Sequence, residues 1–445
     1  MISPEMFILI TLSLLLFLLL TGVHISTSLL ITGFVGAYLT TGRFDVAMNV
    51  LGQAAWGTIR QYMFGVLPLF ILMGLLANLS GASQELYDSA NLLLKRVRGG
   101  VGIASLIAGA LFSAITGVAV ATAVVFTRIA LPQMTRLNYS RKVALGAITS
   151  VSILGFLIPP SLLMIVYGSQ AETSIGRLFL GGVVPGIILT AAFIIVILLY
   201  ARFRPDYIPK PEPLTEDERK NYWRIVFRPW AIVVLIAFSL GGIWLGFFTP
   251  TEAAGVGSFG ALLIVIAKGK FNLKTFWDTL LSTASTTGVI LILLVSASAY
   301  ARALSMGGVI NMVTRMINNV DPAPIAVILV FMVIILLLSS VLDSTSTMLL
   351  TIPLMVPIIR DLGYDAVWFG IVMVLAVSSG LITPPFGMSV FATKAATQGI
   401  KGAEGVTVEE IFMGSFPFFL ATLVVLLITI FFPQTILFLP NLVMG

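Results

Sequence analysis

The feature that most constrains the fold is a pair of double prolines, Pro159-Pro160 and Pro384-Pro385, which interrupt two apolar stretches 225 residues apart. Across positions 122–160, seven of 39 residues recur at this offset. The recurring pairs are Thr122/Thr347, Pro132/Pro357, Leu137/Leu362, Tyr139/Tyr364, Gly155/Gly380, Pro159/Pro384 and Pro160/Pro385. Such a duplicated, proline-broken apolar segment is typical of secondary transporters with a site at the membrane midplane. The plainer alternative is that two duplicated kinks only shape the fold.

Composition places the duplicated segment in a membrane. The 445 residues are 58% hydrophobic and 10% charged, with a mean hydropathy of +1.07, whereas soluble domains carry roughly 25% charged residues. Long apolar runs recur along the chain, and 40 Gly and 21 Pro are scattered through it. Gly and Pro free backbone groups, which a membrane tolerates only inside protein or beside a water-filled cavity. Their frequency therefore favours a transporter or channel. We interpret the first run, residues 6–20, as a retained helix rather than a signal peptide.

Several other classes of protein are excluded by residue type. The chain has no cysteine and one histidine, His24, so disulfide scaffolds, thiolate metal sites and a site of several histidines are ruled out. An intramembrane protease would need paired aspartates or a Ser–His pair, and the sequence offers neither at depth. The net charge of +6 is not carried by a soluble basic domain. We therefore expect no enzymatic activity and no nucleic-acid partner, and a structural role for His24.

The basic residues predict how the two copies lie in the bilayer. Five segments are assigned to the cytoplasm: 95–98, 136–142, 202–228, 268–274 and 394–401. They hold 18 of the 25 Lys and Arg residues, against 6 on the other side and Arg128 inside the membrane, a bias that follows the positive-inside rule. The repeat mates 136–142 and 361–365 then face opposite sides. The repeats are therefore predicted to be inverted, with a periplasmic N-terminus.

The predicted fold is an all-α polytopic membrane protein with two inverted-topology repeats, residues 1–201 and 230–445, joined by a cytoplasmic linker at 202–229. Each repeat is predicted to contain scaffold helices, a re-entrant hairpin and a helix broken at Pro-Pro. The predicted bounds are 1–95, about 101–134 and about 143–170 in the first repeat, and 230–318, about 323–359 and about 366–397 in the second. The hairpin tips are expected near Thr116-Gly117 and Asp343-Ser344.

Asp343 is the acid best suited to a functional role, because a carboxylate at membrane depth is costly unless it meets a partner, an ion or a cavity. The alternative is that it caps a half-helix, and both roles can hold together. Hydroxyl side chains follow Asp343 in the sequence. Each double proline also frees backbone carbonyls four residues earlier from the helical hydrogen bonds. Hard oxygen ligands of these kinds suit Na+. The predicted sodium ligands are Thr116, Gly117, Val118, Thr122, Gly155, Asp343, Ser344, Thr347, Gly380 and Thr383.

Substrate contacts are predicted at the same breaks. Half-helix N-termini attract anions and C-terminal carbonyls attract cations, so two tips meeting at the midplane would hold an anion beside Na+. The predicted contacts are Pro159, Pro160, Ser161, Ser344, Thr345, Pro384, Pro385 and Arg128. Arg128 either pairs with an anionic substrate or extends to the membrane surface.

Five segments, taken with IPPS at 158–161, carry a resemblance to a known family. They are GVLPLFILMGLLANLSG (65–81), SIGRLFLGGVVPG (174–186), GFFTPTEAAGVG (246–257), VLDSTSTMLLTIPLMVPI (341–358) and ITPPFGMSVF (382–391). The chain resembles the large membrane subunit of TRAP (tripartite ATP-independent periplasmic) transporters. The resemblance implies Na+-driven uptake of a small organic anion across the bacterial inner membrane by an elevator-like motion. It also implies a soluble periplasmic binding protein and a small four-helix membrane subunit.

The first hairpin departs from the family pattern. The family usually carries Ser-Gly-Ser there with an acid six residues after the first Ser, whereas this chain has Thr116-Gly117-Val118 and then Thr122. The resemblance therefore implies a neutral, weaker or differently coupled first ion site. It places Glu252, in TPTEA, at the end of a scaffold helix. The alternative function is an ion-coupled anion carrier of similar inverted-repeat fold that works without a binding protein.

Overall fold

Helices form almost the whole protein, in a computed structural model that describes residues 3–320 and 322–444, and no strand occurs within those ranges. The first half contains α1 (Pro4–Leu20), α2 (Ile25–Thr41), α3 (Phe44–Ile59), α4 (Val66–Leu79), α5 (Ala82–Leu94), α6 (Gly100–Thr116), α7 (Ala119–Arg136), α8 (Arg141–Leu157), α9 (Leu162–Gln170) and α10 (Ile175–Phe203). Two short helices, α11 (Glu216–Lys220) and α12 (Tyr222–Val226), follow. The second half contains α13 (Trp230–Trp244), α14 (Pro250–Ala267), α15 (Leu273–Met306), α16 (Val309–Val320), α17 (Pro324–Val341), α18 (Ser344–Asp361), α19 (Ala366–Ser379), α20 (Met388–Ala396), α21 (Val408–Phe431) and α22 (Gln434–Met444). The predicted all-α fold is confirmed.

The centre of the protein is formed by α8 and α19. Every residue from 143 to 157 and from 367 to 382 is buried, as expected for helices that are apolar on all faces. Eight helical segments among the described residues are long and apolar enough to cross a membrane. One of these, Arg141–Gln170, comprises α8 and α9. Its most apolar stretch is 89% buried, against 33% for that of α10. The broken helix is therefore the core element, and α10 presents much of its surface outward.

Local sequence explains where a scaffold helix begins. The Thr249 hydroxyl accepts a hydrogen bond from the Glu252 backbone N–H at 3.3 Å, and the Glu252 carboxylate accepts one from the Thr249 N–H at 2.8 Å. This is a capping box, with Pro250 at the first helical position, where a missing N–H costs nothing. The TPTEA motif is thus the start of α14, and Glu252 serves that helix end.

Each half contains a helical hairpin followed by a broken helix. In the first unit (α6 to α9), α6 and α7 meet at Gly117-Val118, and residues 158–161 separate α8 from α9. In the second unit (α17 to α20), α17 and α18 meet at Leu342-Asp343. A 3₁₀ turn at Gly380–Ile382 and residues 383–387 separate α19 from α20. The duplication seen in the sequence is therefore a repeat of one supersecondary unit.

The open ends of the two hairpins lie at opposite faces of the molecule. Helix α10, with 29 residues, is about 43 Å long and joins those faces. Near its start, Arg177 pairs with Asp365 at the base of the second unit (3.7 Å). Beyond its end, the Pro205 carbonyl accepts a hydrogen bond from Arg98 at the base of the first unit (2.7 Å). The inverted arrangement predicted from charge placement agrees with this geometry.

The two units interlock, because the second half of each broken helix packs against the hairpin of the other unit. Helix α9 packs against α18, α7 packs against α20, and α8 lies beside α19, the reciprocal pattern of two copies related by a pseudo-twofold axis. Helix α8 also meets α21 backbone to backbone, since a Cβ on Gly146 would lie 2.0 Å from the Gly414 carbonyl oxygen. Small residues permit this close approach, as is common between membrane helices.

The five basic segments lie on one face. The ion pairs there are Lys95–Glu218 (2.6 Å), Arg136–Glu212 (3.9 Å), Arg141–Glu410 (3.0 Å), Arg228–Glu85 (3.4 Å) and Lys268–Glu85 (2.5 Å). Segment 394–401 reaches the same face, where Ile400 and Lys401 line a cavity with Thr135 and Arg136. The linker between the halves is thus held against the bases of α5, α6 and α7.

Candidate functional site

The tip of the first hairpin is seated on the first helix break. Gly117 has a φ of +59°, a conformation that favours glycine, and a Cβ there would lie 2.7 Å from the Pro160 carbonyl oxygen. The Gly117 carbonyl accepts a hydrogen bond from the Leu162 N–H at 3.4 Å. The backbone of the tip therefore contacts the Pro159-Pro160 break directly.

Three hydroxyls lie at this first tip. The hydroxyl oxygens of Thr116 and Thr122 are 3.5 Å apart, and the Thr122 hydroxyl donates to the Val118 carbonyl at 3.0 Å. Thr122 is fully buried and Thr116 nearly so. Ser113, one turn before the tip, is fully buried, and its hydroxyl has no hydrogen-bond partner among the described residues. The first tip thus presents neutral oxygens only.

The first break is closed on itself. The Ser161 hydroxyl donates to the Phe156 carbonyl and accepts from the Met164 N–H, capping α9. Ser161, Pro159 and Pro160 are all buried. One of the two carbonyls freed by the prolines is therefore already bonded. The other belongs to Gly155, which lies four residues before Pro159. Gly155 packs tightly on Ala119 at the start of α7.

The tip of the second hairpin carries the carboxylate. Asp343 caps α18, with Oδ2 accepting from the Ser346 N–H at 3.0 Å and Oδ1 accepting from the Ser346 hydroxyl. Ser344 is buried, whereas Asp343 and Thr345 are half-buried. Thr347 is fully buried, and no described residue hydrogen-bonds to its hydroxyl. The predicted capping role of Asp343 is therefore observed, and the carboxylate keeps unused lone pairs.

The second break repeats the first but stays open. A Cβ on Gly380 would lie 2.3 Å from the Ser339 carbonyl oxygen, and the Ser340 carbonyl accepts from the Phe386 N–H at 3.3 Å. The Thr383 hydroxyl donates to the Ser379 carbonyl at 2.7 Å. Unlike the first pair of prolines, Pro384 and Pro385 are exposed. In each unit the hairpin thus packs on its own break, through Gly117 at the tip in the first unit and through Ser339 and Ser340 in the last turn of α17 in the second.

Arg128 is not brought to either tip. It lies nine residues, about 14 Å, along α7 from Ala119, and its side chain is exposed. The other predicted residues group around the two tips and breaks described above. Helix α8 links the groups, because it packs on α6 and α7 and also on the 3₁₀ turn of the second break.

Two serines complete the site and were missing from the sequence prediction. Ser113 on α6 faces Gly155, its hydroxyl 3.5 Å from where a Cβ would be, and Ser339 on α17 faces the repeat mate Gly380 in the same way, at 2.5 Å. Their offset is 226 residues rather than the 225 that separates the tips Val118 and Asp343, so Ser339 lies one residue closer to its tip than Ser113 does. This shift conceals the correspondence in a fixed-register comparison.

The donor set suits a small hard cation beside an anion. Hydroxyl and carbonyl oxygens and a single carboxylate line the two tips, without nitrogen or sulfur ligands in the described part of the chain. Oxygen sets of this kind favour hard cations over transition metals. The start of α18 adds free backbone N–H groups, which attract anions.

Comparison with known proteins identifies the family. Residues 12–435 match the family described as "Tripartite ATP-independent periplasmic transporter, DctM component". The chain is 31% identical over 388 residues to the C4-dicarboxylate TRAP transporter large permease protein DctM of Pseudomonas aeruginosa, covering 86% of this chain and 87% of that protein. It is 27% identical to the sialic acid TRAP transporter large permease protein SiaM of Vibrio cholerae, covering 96% and 97%.

Among solved structures, the YdaH transporter of Alcanivorax borkumensis matches with a TM-score of 0.62 at 14% identity, covering 90% of each chain. At this level of identity the likeness supports the fold alone. The family match, by contrast, extends over nearly the whole sequence and includes both units of the site. The chain therefore belongs to the DctM component family of the tripartite ATP-independent periplasmic transporters.

Proposed function

We propose that this membrane permease imports a small organic anion by secondary active transport driven by Na+. The observation that carries the proposal is the pairing of each hairpin tip with its own helix break, with Asp343 at one tip. The names of the relatives support an anionic cargo, because C4-dicarboxylates and sialic acid are carboxylates. Other sugar acids and sulfonates belong to the same chemical class.

Sodium is assigned to the oxygens at the tips and breaks. In the second unit the ligands are Asp343, Ser344, Thr347 and the region of Gly380 and Thr383; in the first they are Thr116, Gly117, Val118, Thr122 and Gly155. The anion is assigned to the space between the breaks, beside Thr345 and Pro384-Pro385, which are accessible. Pro159, Pro160, Ser161 and Ser344 would form its buried wall. Arg128, exposed on α7, is at most a peripheral contact.

An elevator-like motion fits the packing. The two units interlock through α7 with α20 and α9 with α18, whereas the scaffold helices pair with one another, α2 with α15 and α4 with α14. We propose that the interlocked units move as one body against the scaffold. Because the hairpins open to opposite faces, such a motion would expose the site to each side in turn.

The partners follow from the family description. A tripartite periplasmic transporter has further components, and we propose a soluble periplasmic binding protein that delivers the anion and a small four-helix membrane subunit that supports the scaffold. The proposed location is the bacterial inner membrane, with the linker 202–229 in the cytoplasm and the N-terminus in the periplasm. The clustering of the basic segments on one face supports this orientation.

The test is Na+-dependent uptake into proteoliposomes that contain the permease, its membrane partner and the binding protein, with succinate, N-acetylneuraminate and a sulfonate as the anion panel. Asp343→Asn should lower uptake roughly a hundredfold, because loss of a charged ligand costs about 3 kcal/mol. Asp361→Asn, the same change at the exposed far end of α18, is the matched control and should transport normally.

Unchanged, Na+-dependent uptake by the Asp343→Asn variant would refute the assignment of the ion. Omitting the binding protein tests the alternative carrier, which would transport equally well without it. Collapse of uptake on omission supports delivery by a binding protein.

A further inference from the structure

We infer that the two units obtain the negative charge for their ions from different sources. The second unit supplies its own, and the first depends on the transported anion. This inference rests on the proposed function and adds an order of binding to it: the ion at the second unit binds alone, and the ion at the first binds only together with the anion.

The second unit has a built-in counter-charge. The Asp343 carboxylate offers about four acceptor positions, and the structure uses two of them, both for Ser346. Thr347 lies four residues later, on the same face of α18, with its buried hydroxyl unpartnered within the described residues. A cation there would meet a full negative charge and a free hydroxyl with no substrate present.

The first unit has no acid at all. Between residues 99 and 170 the sequence contains neither Asp nor Glu, so the oxygens of Thr116, Thr122 and Ser113 are neutral. All three are buried, and the hydroxyl of Ser113 finds no partner in residues 3–320 or 322–444. The site has oxygens for a cation but nothing to balance its charge.

Burial decides which unit can hold an ion alone. An isolated charge in a buried, low-dielectric site is strongly disfavoured unless it is paired. At the first unit the transported anion can supply the missing counter-charge, since both breaks border the space assigned to it. The coupling is then reciprocal: the anion raises Na+ affinity at the first unit, and Na+ raises the affinity for the anion by the same factor.

The experiment counts bound sodium on the purified full-length chain in lipid nanodiscs, first with ²²Na+ alone. The wild type should bind one ion per chain, Asp343→Asn none, and Thr122→Asp two, because the last variant supplies the missing carboxylate. Ala121→Asp is the matched control: it adds the same charge one residue earlier, on an exposed side chain, and should leave the count at one.

The second arm adds the anion of the panel that uptake shows to be carried. It should raise the wild-type count from one to two, while Ser113→Ala should reduce that anion-dependent ion and leave the first unaffected. If Thr122→Asp does not fold, the wild-type counts and the Ser113→Ala variant still decide. Two ions bound by the wild type without anion, or one ion with the carried anion present, would overturn the inference. Either result leaves the proposed function standing, since that depends on uptake by Asp343→Asn.

Discussion

The two units of the molecule are built from the same elements, yet the first is closed and neutral while the second is open and acidic. Much of the difference in exposure traces to one pair of repeat mates, Ser161 and Phe386, which follow the two double prolines. Ser161 donates its hydroxyl to the Phe156 carbonyl and buries the break. Phe386 has no hydroxyl to donate to the corresponding carbonyl of Leu381, and its side chain is 54% exposed.

The comparison teaches that duplicated backbone geometry does not require duplicated chemistry. Both units keep the glycine before the break, because the hairpin backbone lies too close for a side chain, at Ala119 of α7 beside Gly155 and at Ser339 of α17 beside Gly380. The polar side chains around that shared geometry have diverged, so that one unit carries the counter-charge and the other a closed set of hydroxyls. If the proposed ion sites are correct, the two units bind their ions in sequence rather than independently.

The largest effect is expected from adding a methyl group at the paired glycines. Gly380→Ala would place a Cβ 2.3 Å from the Ser339 carbonyl oxygen, and Gly155→Ala would place one 2.9 Å from the Ala119 Cα. Because backbone must move in both cases, we expect losses of about 3 and about 1–2 kcal/mol, respectively, with uptake abolished in the former. Thermal unfolding in nanodiscs measures the loss of stability, and proteoliposome uptake measures the loss of transport.

The matched control for the glycine pair is Gly288→Ala, where a Cβ would meet no atom within 4 Å. It should be neutral or slightly stabilising, since alanine favours a helix over glycine. Equal tolerance of alanine at Gly380 and Gly288 would contradict the tight seating of the second hairpin on its break.

A smaller effect is expected from Ser161→Ala. It would leave the buried Phe156 carbonyl without its donor, which costs about 1–3 kcal/mol, and it should make the first break resemble the second. Ser150→Ala is the control on α8: Ser150 is equally buried, but its hydroxyl bonds to the Gly146 carbonyl within the helix. If both variants unfold at the same temperature, closure of the first break does not depend on Ser161.

The fold could be predicted from the sequence because its signals are strong and repeated. Long apolar runs require helices, the double prolines require breaks, and the basic segments assign the ends to faces, as the ion pairs around Glu85 and Glu218 bear out. The position of Asp343 at the second tip could be predicted because an acid among apolar residues is conspicuous.

What escaped prediction depends on direction rather than on residue type. Ser113 and Ser339 are two among many serines and threonines on apolar helices, and only the folded structure shows that they face the paired glycines. Likewise, the motif IPPS does not reveal that its serine bonds back to Phe156, nor that the exchange of serine for phenylalanine opens the other break. Side-chain orientation in a tightly packed turn has no periodic signature in the sequence.

The smallest effect concerns the linker, which is fastened to α5 and to the base of the first hairpin. Burial by itself raises the pKa of Glu218, but hydrogen bonds from Lys95 and Thr215 outweigh it and hold the pKa below its usual value. A carboxyl with a lowered pKa in the folded state stabilises above its unfolded pKa, and this contribution is lost as the pH falls through the folded value. Glu218→Gln should therefore loosen the linker by less than about 1 kcal/mol at neutral pH, with the difference from wild type fading in acid. Hydrogen exchange over 204–228 would measure this loosening.

Glu212→Gln is the control, because Glu212 lies 3.9 Å from an exposed Arg136 and should change nothing. A difference that grows toward acid pH would mean that Glu218 is held in its neutral form and that the linker is fastened by other contacts.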